Sequence, residues 1–186
     1  MKKLIFALIA GATAMGAAHA EGGYIGLGVS SSDHTFNVGG ASSTSADGWK
    51  ASGKIFGGYE IDPMWGVEAG YTSVRKSNGS YTVGGVPGSI NSDGDRYYVA
   101  AKANMPVNEQ FSVYGKLGVE HSKANVSMST PATSWSDSNT GLYGALGGQF
   151  NINKQVALTL EYERYGKKKD FGAKADAITV GARYAF

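Results

Sequence analysis

The chain has 186 residues with 17 basic and 15 acidic side chains, no cysteine, 28 glycines and 4 prolines. This length fits one domain, and the lack of cysteine excludes a scaffold held together by disulfides. Because the glycines are spread through alternating apolar and polar segments, the composition excludes a collagen repeat and argues against disorder.

The first 20 residues, MKKLIFALIAGATAMGAAHA, have the features of a secretory signal peptide. Two lysines precede an apolar run, and the final Ala18-His19-Ala20 fits the small-x-small cleavage rule. The apolar run is too short to cross about 30 Å of hydrocarbon, which disfavours a transmembrane anchor. We expect residues 1–20 to be removed and residues 21–186 to form the mature domain. The removed segment holds two of the 17 basic residues and none of the 15 acidic ones, so the mature chain has no net charge and gives no sign of nucleic-acid binding.

Alternation of apolar and polar residues predicts eight strands in the mature chain. The connections after the second, fourth and sixth strands are tight turns, whereas the other connections are long and polar, the last being shorter and basic. This arrangement is typical of an up-and-down antiparallel meander with two chemically different ends. The strands are expected at about residues 24–30, 49–61, 65–76, 95–105, 111–123, 141–151, 156–165 and 177–186, and the long connections at 31–48, 77–94, 124–140 and 166–176.

One face of the predicted strands carries five basic and five acidic side chains among small residues. The interior of eight strands has room only for side chains, and an unpaired ion there would cost several kcal/mol. We therefore predict an all-β, eight-stranded antiparallel up-and-down transmembrane β-barrel, with charges inside and the apolar face toward lipid. The ten charged residues are Lys54, Glu60, Glu68, Arg96, Lys102, Lys116, Glu120, Glu161, Glu163 and Arg183, and all but Glu60 and Glu163 are assigned to a lumen ion network.

A soluble barrel with an apolar interior is the alternative, and the aromatic residues favour the membrane. They lie on the apolar face near both ends of the strands, as in the two aromatic girdles of membrane barrels. The apolar segments are about ten residues long, which is the length that a tilted transmembrane strand needs. The predicted girdles are Tyr59, Trp65, Phe111, Phe150, Tyr184 and Phe186 near the short turns, and Trp49, Tyr71 and Tyr97 toward the long loops.

Four stretches, IFGGYEIDPMWGVEAGYTSV, YYVAAKANMPVNEQFSVYGKLGV, LTLEYERYG and the terminal VGARYAF, resemble the OmpA-type transmembrane barrel of Gram-negative outer membranes. The resemblance implies export to that membrane and contact with its lipids and lipopolysaccharide. It also implies insertion by the outer-membrane assembly machinery, which in this family reads a C-terminal aromatic signal, here Tyr184 and Phe186. The periplasmic peptidoglycan-binding domain of the larger family members is not expected here.

The resemblance further implies roles for inward-facing charges. Thr159 and Gln149 stand where the family's lumen gate has an arginine and a glutamate. Glu68 and Lys102 match gate positions that lose these partners, so we expect Glu68 and Lys102 to pair with each other. The further positions that match inward charges of the family are Lys116 and Glu161.

Three functions fit such a barrel. The first is a structural or surface-interaction role, including adhesion to a host or phage surface through the long loops. The alternative is a small ion-permeable pore gated by the lumen ion pairs. The third is a lipid-modifying enzyme, for which His34 beside Asp33 and His121 beside Ser122 are the histidine candidates. Because serine is common here and such adjacency arises by chance, we expect no enzyme, no cofactor and no metal site.

The last long connection holds three consecutive lysines, Lys167, Lys168 and Lys169. A solvated charge run is the simpler interpretation. Contact with lipopolysaccharide phosphates is the alternative, because these phosphates lie at the same height on the outer leaflet.

Overall fold

The computed structural model describes residues 22–32, 34–36, 43–46, 50–83, 86–129, 132–166, 171–173 and 176–186. The predicted signal peptide lies outside these residues, as do Trp49 and the three lysines at 167–169. In the described part of the chain the backbone forms strands, joined by turns. The strands are β1 (Gly22–Ser32), β2 (His34–Phe36), β3 (Ser43–Ala46), β4 (Lys50–Glu60), β5 (Trp65–Val83), β6 (Val86–Pro106), β7 (Phe111–Ser129), β8 (Ala132–Asn151), β9 (Val156–Tyr165), β10 (Phe171–Ala173) and β11 (Asp176–Ala185).

Eight strands close into an antiparallel barrel, which confirms the predicted fold class. Each of β4 to β8 pairs with the next strand along the chain, β9 pairs with β11, and β1 lies between β11 and β4. The closing seam aligns Ile25 with Tyr184 and Val29 with Val180. Closure leaves no unpaired sheet edge around the barrel, which a bilayer requires because it offers backbone groups no other partner.

The alternation of side chains across the barrel wall is inverted relative to a soluble protein. Leu142, Leu146 and Leu117 point outward and are 73%, 70% and 69% exposed. Lys102, Glu163 and Thr179 point inward and are at most 1% exposed. The described residues contain no helix long and apolar enough to cross a membrane.

The three short turns share one hydrogen-bonded design built around an Asp or Asn side chain. Oδ1 of Asp62, Asn108 and Asn153 each accepts two backbone N–H groups, from the residues two and three positions ahead, at 2.7–2.9 Å. Such a side chain replaces a backbone acceptor, which explains why Asp and Asn favour turns. The segments IDPMW, VNEQF and INKQV therefore form a structural repeat at this end of the barrel.

The predicted long loops at 77–94 and 124–140 are wrong, because most of their residues continue the barrel strands. β5, β6, β7 and β8 are 19, 21, 19 and 20 residues long, which is about twice the roughly ten residues that a tilted strand needs to cross a membrane. The residues beyond that length remain paired with the neighbouring strands. β3 adds to β5 through Ser43 to Ala46, so β3, β5, β6, β7 and β8 form one sheet beyond the barrel. Their Ser- and Asn-rich composition indicated loops, but segments such as SYTV and NVSMS also contain strand-forming residues at alternate positions.

A second, smaller sheet connects the first and last long connections. β2 and β10 pair antiparallel, with Phe36 opposite Phe171 and His34 opposite Ala173. Both strands come from connections that flank the closing pair β1 and β11, so this sheet joins the chain across the seam at the end opposite the short turns.

Candidate functional site in the barrel lumen

The centre of the lumen is a chain of alternating buried charges. Lys116 Nζ lies 2.6 Å from Glu68 Oε1 and 2.5 Å from Glu161 Oε1. Lys54 Nζ lies 2.9 Å from Glu161 Oε2 and also contacts Glu163. All five side chains are at most 2% exposed. Three carboxylates thus share two ammonium groups, with the acids in excess by one charge.

Five tyrosine hydroxyls supply the donors that this excess of carboxylate requires. Each of the three glutamates accepts at least one of them, so the oxygens that lysine leaves free are satisfied inside the lumen, as buried charges must be. The role of these tyrosines as donors was not predicted from the sequence. The bonds run from Tyr24 and Tyr98 to Glu68, from Tyr114 to Glu161, and from Tyr143 and Tyr165 to Glu163.

Glycines make the room for these inward rings. Gly70 lies directly opposite Tyr98 on the neighbouring strand, and a Cβ on Gly70 would overlap the tyrosine ring. In the same way, Gly26 on β1 lies directly opposite the inward Phe56 on β4, whose ring lies 5.4 Å from Lys54 Nζ. The pairs in which a Cβ on the glycine would overlap the ring opposite include Gly26 with Phe56, Gly58 with Tyr24, Gly70 with Tyr98, and Gly147 with Tyr114.

A second charge cluster lies nearer the short turns and corrects one prediction. Arg183 holds Glu60 through two bonds of 2.7 and 3.0 Å, and Lys102 Nζ lies 3.2 Å from the same carboxylate. The expected Glu68–Lys102 pair is therefore wrong. The register explains this, because Gly66 aligns with Lys102 on one side and with Glu60 on the other, which places both charges in one row with only a glycine between them.

Glu68 takes a different lysine for the same reason. Lys102 and Lys116 are direct cross-strand neighbours, so their charges repel and the two ammonium groups point to different charge clusters of the lumen. Lys116 reaches Glu68 in the central cluster, while Lys102 reaches Glu60.

The remaining predicted network residues lie toward the other end of the lumen. Arg96 is buried with its guanidinium 4.7 Å from the centre of the Tyr165 ring. Glu120 is buried beside Gly141 and Gly166, and its Oε2 has no hydrogen-bond partner among the described residues.

The two departures from the OmpA-type gate are also buried. Thr159 Oγ1 has no hydrogen-bond partner in the described part of the chain. Gln149 Nε2 donates to Asn151 Oδ1 at 2.7 Å. Neither side chain replaces the ionic contact that a gate arginine or glutamate would make.

Tyr184 and His121 lie outside the lumen. Tyr184 faces outward at the seam with its ring 6.3 Å from that of Phe186, and the Phe186 N–H bonds Gly23 O. His121 Nδ1 lies 2.9 Å from Thr140 Oγ1, whereas the adjacent Ser122 is buried on the opposite face of the wall. Within the described residues, no group of three or more His, Asp or Glu side chains could hold a metal ion.

A closed eight-stranded barrel with an apolar outer face and an ionised lumen defines a transmembrane β-barrel protein. Residues 4–186 match the model of the outer membrane protein beta-barrel domain, and the chain belongs to this family. It is an integral β-barrel of the Gram-negative outer membrane, as its relatives also indicate.

Two relatives and one solved structure illustrate the likeness. The attachment invasion locus protein of Yersinia pseudotuberculosis is 36% identical over 130 residues, which cover 69% of this chain and 67% of that protein. Outer membrane protein A of Salmonella typhi is 27% identical over 146 residues, covering 70% of this chain but only 39% of the relative. This chain therefore matches about two fifths of the length of that relative.

The crystal structure of Ail, the attachment invasion locus protein of Yersinia pestis, is similar with a TM-score of 0.56 and 27% identity. The match covers 88% of this chain and 97% of that chain, and the structure was determined in complex with the heparin analogue sucrose octasulfate. These relatives are named as outer-membrane or attachment proteins, and none of the three is named as an enzyme.

Proposed function

We propose that this protein is a surface-attachment barrel, in which the lumen network stabilises a rigid cylinder. The sheet that β3 and β5 to β8 form beyond the barrel, here called the extracellular sheet because the long connections of such barrels face outside the cell, makes contacts with a host or phage surface. The observation that carries the proposal is the length of β5 to β8. At 19–21 residues, each is about twice the roughly ten residues that a tilted strand needs to cross the membrane.

The extracellular sheet has the surface of a contact site for polar ligands. Described side chains such as Ser127, Ser134 and Asn139 are exposed along it. Lys123 and Arg164 are exposed basic side chains at the extracellular end of the barrel, where Lys123 lies opposite Asp95 and Arg164 is bridged to Asp176 at 3.3 Å. Since Ail was crystallised with a heparin analogue, a sulfated polysaccharide is the ligand class that we propose to test first.

Adhesion of cells that express shortened variants tests the proposal. One variant replaces residues 77–92 by a tight turn, and a second replaces residues 125–138, so that each removes one hairpin above the barrel. We expect each variant to lose most adhesion to heparin-coated surfaces, with little adhesion of any form to desulfated heparin. Heat-modifiable gel migration verifies that the barrel is closed. Undiminished adhesion by folded barrels without the hairpins would contradict the proposal.

The three lysines at 167–169 are proposed to contact lipopolysaccharide phosphates. Reversing their charge to glutamate is expected to reduce the lipopolysaccharide that co-purifies with the barrel. If the co-purified amount stays the same, the lysines are a solvated charge run.

Tyr184 and Phe186 are proposed to form the signal for the assembly machinery. Their position beside the closing seam supports this role, because a partner that inserts the barrel must contact the last strand before it pairs with the first. Phe186→Ala is expected to reduce the folded fraction in the outer membrane, while refolding of the same variant into detergent micelles stays efficient. An equal defect in both settings would indicate a purely structural residue.

Neither a small ion-permeable pore gated by the lumen ion pairs nor an enzyme is favoured. The inward tyrosines and Phe56 fill the lumen between the ion pairs, so we expect no steady conductance in planar bilayers. His121 and Ser122 point to opposite faces, so they cannot act as a base and a nucleophile together.

A further inference from the structure

The charge cluster nearest the short turns, formed by Glu60, Lys102 and Arg183 and here called the lower cluster, carries more positive than negative charge. Both basic side chains contact one carboxylate oxygen, Glu60 Oε1, at 3.2 Å from Lys102 Nζ and 2.7 Å from Arg183 Nη1. Arg183 Nη2 also donates to Glu60 Oε2 at 3.0 Å. One carboxylate therefore serves two cations, which leaves a surplus of one positive charge in the lower cluster.

Lys102 is the cation that this shortage of acceptors affects most. Its side chain is only 2% exposed, yet among the described residues its ammonium group makes a single hydrogen bond, the one to Glu60. An ammonium group has three N–H donors, and a buried charge requires partners for them. The rings of Tyr24 and Tyr114 lie with their centres 5.0 and 4.7 Å from Lys102 Nζ. They stabilise the charge but supply no anionic acceptor.

Glu68, the carboxylate that the sequence paired with Lys102, is already occupied by other donors. Its two oxygens accept hydrogen bonds from Lys116, Tyr98 and Tyr24. Lys116 is also the direct cross-strand neighbour of Lys102, so its charge opposes any approach of Lys102 to the centre of the lumen. The missing acceptor for Lys102 therefore has to come from outside the chain.

A second unsatisfied polar group lies one inward position away from Arg183. Thr159 Oγ1 has no hydrogen-bond partner in the described part of the chain, and Thr159 is 5% exposed. This hydroxyl lies over Gly181, where a Cβ would approach it to 2.9 Å, and Gly181 is the inward residue that precedes Arg183 on β11. This part of the lumen thus combines spare N–H donors with a spare hydroxyl donor, which is the chemistry that binds anions.

The lower cluster is reached from the end of the barrel that carries the short turns. The side chains of Glu60 and Arg183 are 18% and 7% exposed, whereas the five charged side chains at the centre of the lumen are at most 2% exposed. In an outer-membrane barrel the short turns face the periplasm. Because only a small part of each side chain is open to water, an ion that enters there must be small.

We propose that the lower cluster binds one small monovalent anion, a halide such as chloride, between Lys102 and Arg183. The ion accepts N–H groups that Glu60 leaves free, and it neutralises the surplus charge. The nitrogens of both side chains already reach one oxygen of Glu60, so a second anionic atom can also contact both. The site is independent of the attachment function, because the extracellular sheet lies at the opposite end of the barrel.

Crystals of the full barrel grown in sodium bromide test where the anion binds, because bromide scatters anomalously and takes the place of chloride. We expect an anomalous peak within hydrogen-bond distance of Lys102 Nζ. The absence of such a peak would overturn the proposal, since water would then supply the missing acceptor.

Line broadening of the chloride NMR signal by the barrel in non-ionic micelles measures binding in solution. Lys102→Met removes the principal ligand, and we expect it to reduce the excess line width by roughly fivefold. The matched control is Lys123→Met, which removes the same charge from an exposed position and is expected to retain the broadening of the parent. Equal losses in the two variants would mean that chloride responds only to the net charge of the barrel, and would overturn the site.

Glu60→Gln distinguishes an anion site from a purely structural cluster. The Glu60 carboxylate competes with the halide for the same donors, so we expect the variant to bind chloride roughly tenfold more tightly than the parent. We also expect its denaturant midpoint to be higher in sodium chloride than in sodium gluconate at equal ionic strength. Weaker chloride binding, or equal midpoints in the two salts, would overturn the proposal. Heat-modifiable migration of each variant confirms that the barrels compared are folded.

Discussion

At the scale of single residues, Lys116 has the most demanding position in the barrel, because its ammonium group lies between two buried carboxylates. Replacing it by methionine leaves Glu68 and Glu161 facing each other without that counter-charge. Breaking a buried pair in this way costs about 3–5 kcal/mol. We expect Lys116→Met to lower the free energy of unfolding by this amount, measured by denaturant titration in detergent micelles.

The exposed pair Arg164–Asp176 provides the control for that measurement. Arg164→Ala is expected to change stability by less than about 1 kcal/mol, since water screens an exposed pair. Equal effects of the two substitutions would contradict a dry, ionised lumen.

A double-mutant cycle tests which carboxylate forms the ion pair with Lys102. Lys102→Met combined with Glu60→Gln is expected to show a coupling energy of at least about 1 kcal/mol, whereas the cycle with Glu68→Gln should show much less. A larger coupling energy with Glu68 than with Glu60 would support the Glu68–Lys102 pair expected from the sequence. It would contradict the pairing of Lys102 with Glu60 across Gly66.

These residues also show what the sequence could predict about the lumen. The alternation placed Lys54, Glu68 and Lys116 on one face, because the period of two in a strand depends only on local geometry. It could not predict which charges meet, since that depends on the register between strands. The tyrosine donors were missed because a tyrosine ring suits either face of the wall.

At the scale of single elements, the repeated short turn yields a prediction. Asn108→Ala removes the acceptor of the Gln110 and Phe111 N–H groups. We expect a loss of about 1 kcal/mol in the same unfolding titration, because water replaces part of the lost bonding at an exposed turn. Asn125→Ala is the control, since Asn125 makes only one exposed contact of 3.5 Å with Asp93. A loss no greater than that of the control would show that the side chain does not hold the turn.

Glycines within the strands differ according to the face they occupy. Gly70→Ala places a methyl group against the Tyr98 ring, and overpacking of this kind costs about 1–3 kcal/mol. Gly53→Ala on the outer face meets no atom within 4 Å and is expected to be neutral or stabilising by about 0.5 kcal/mol. Equal costs at both positions would mean that the inward rings do not depend on the glycines opposite them.

The elements themselves were largely predictable where the membrane constrains them. The strand at 156–165 matches the prediction in full, and the ends at the short turns agree within a few residues, because apolar alternation begins and ends there. The upper halves of β5 to β8 were missed. Water rather than lipid surrounds them, so their strands need no apolar face and the polar sequence resembles a loop.

At the scale of the whole molecule, the fold depends on which face of the barrel wall meets lipid. Leucine, isoleucine, valine and aromatic side chains form the outer surface, and buried ions and tyrosines form much of the interior. The barrel therefore does not need a hydrophobic core of its own, and it supports the extracellular sheet at one end. The same inversion explains why composition alone suggests neither a membrane protein nor a soluble one.

Spin labels at single introduced cysteines test this central claim most directly, because the chain has no native cysteine. Labels at Leu117 and Leu160 should be relaxed strongly by oxygen, which concentrates in lipid, and labels at Ala100 and Ala145 should be shielded from it. Strong oxygen relaxation at the two alanine positions, with shielded leucine positions, would contradict the account.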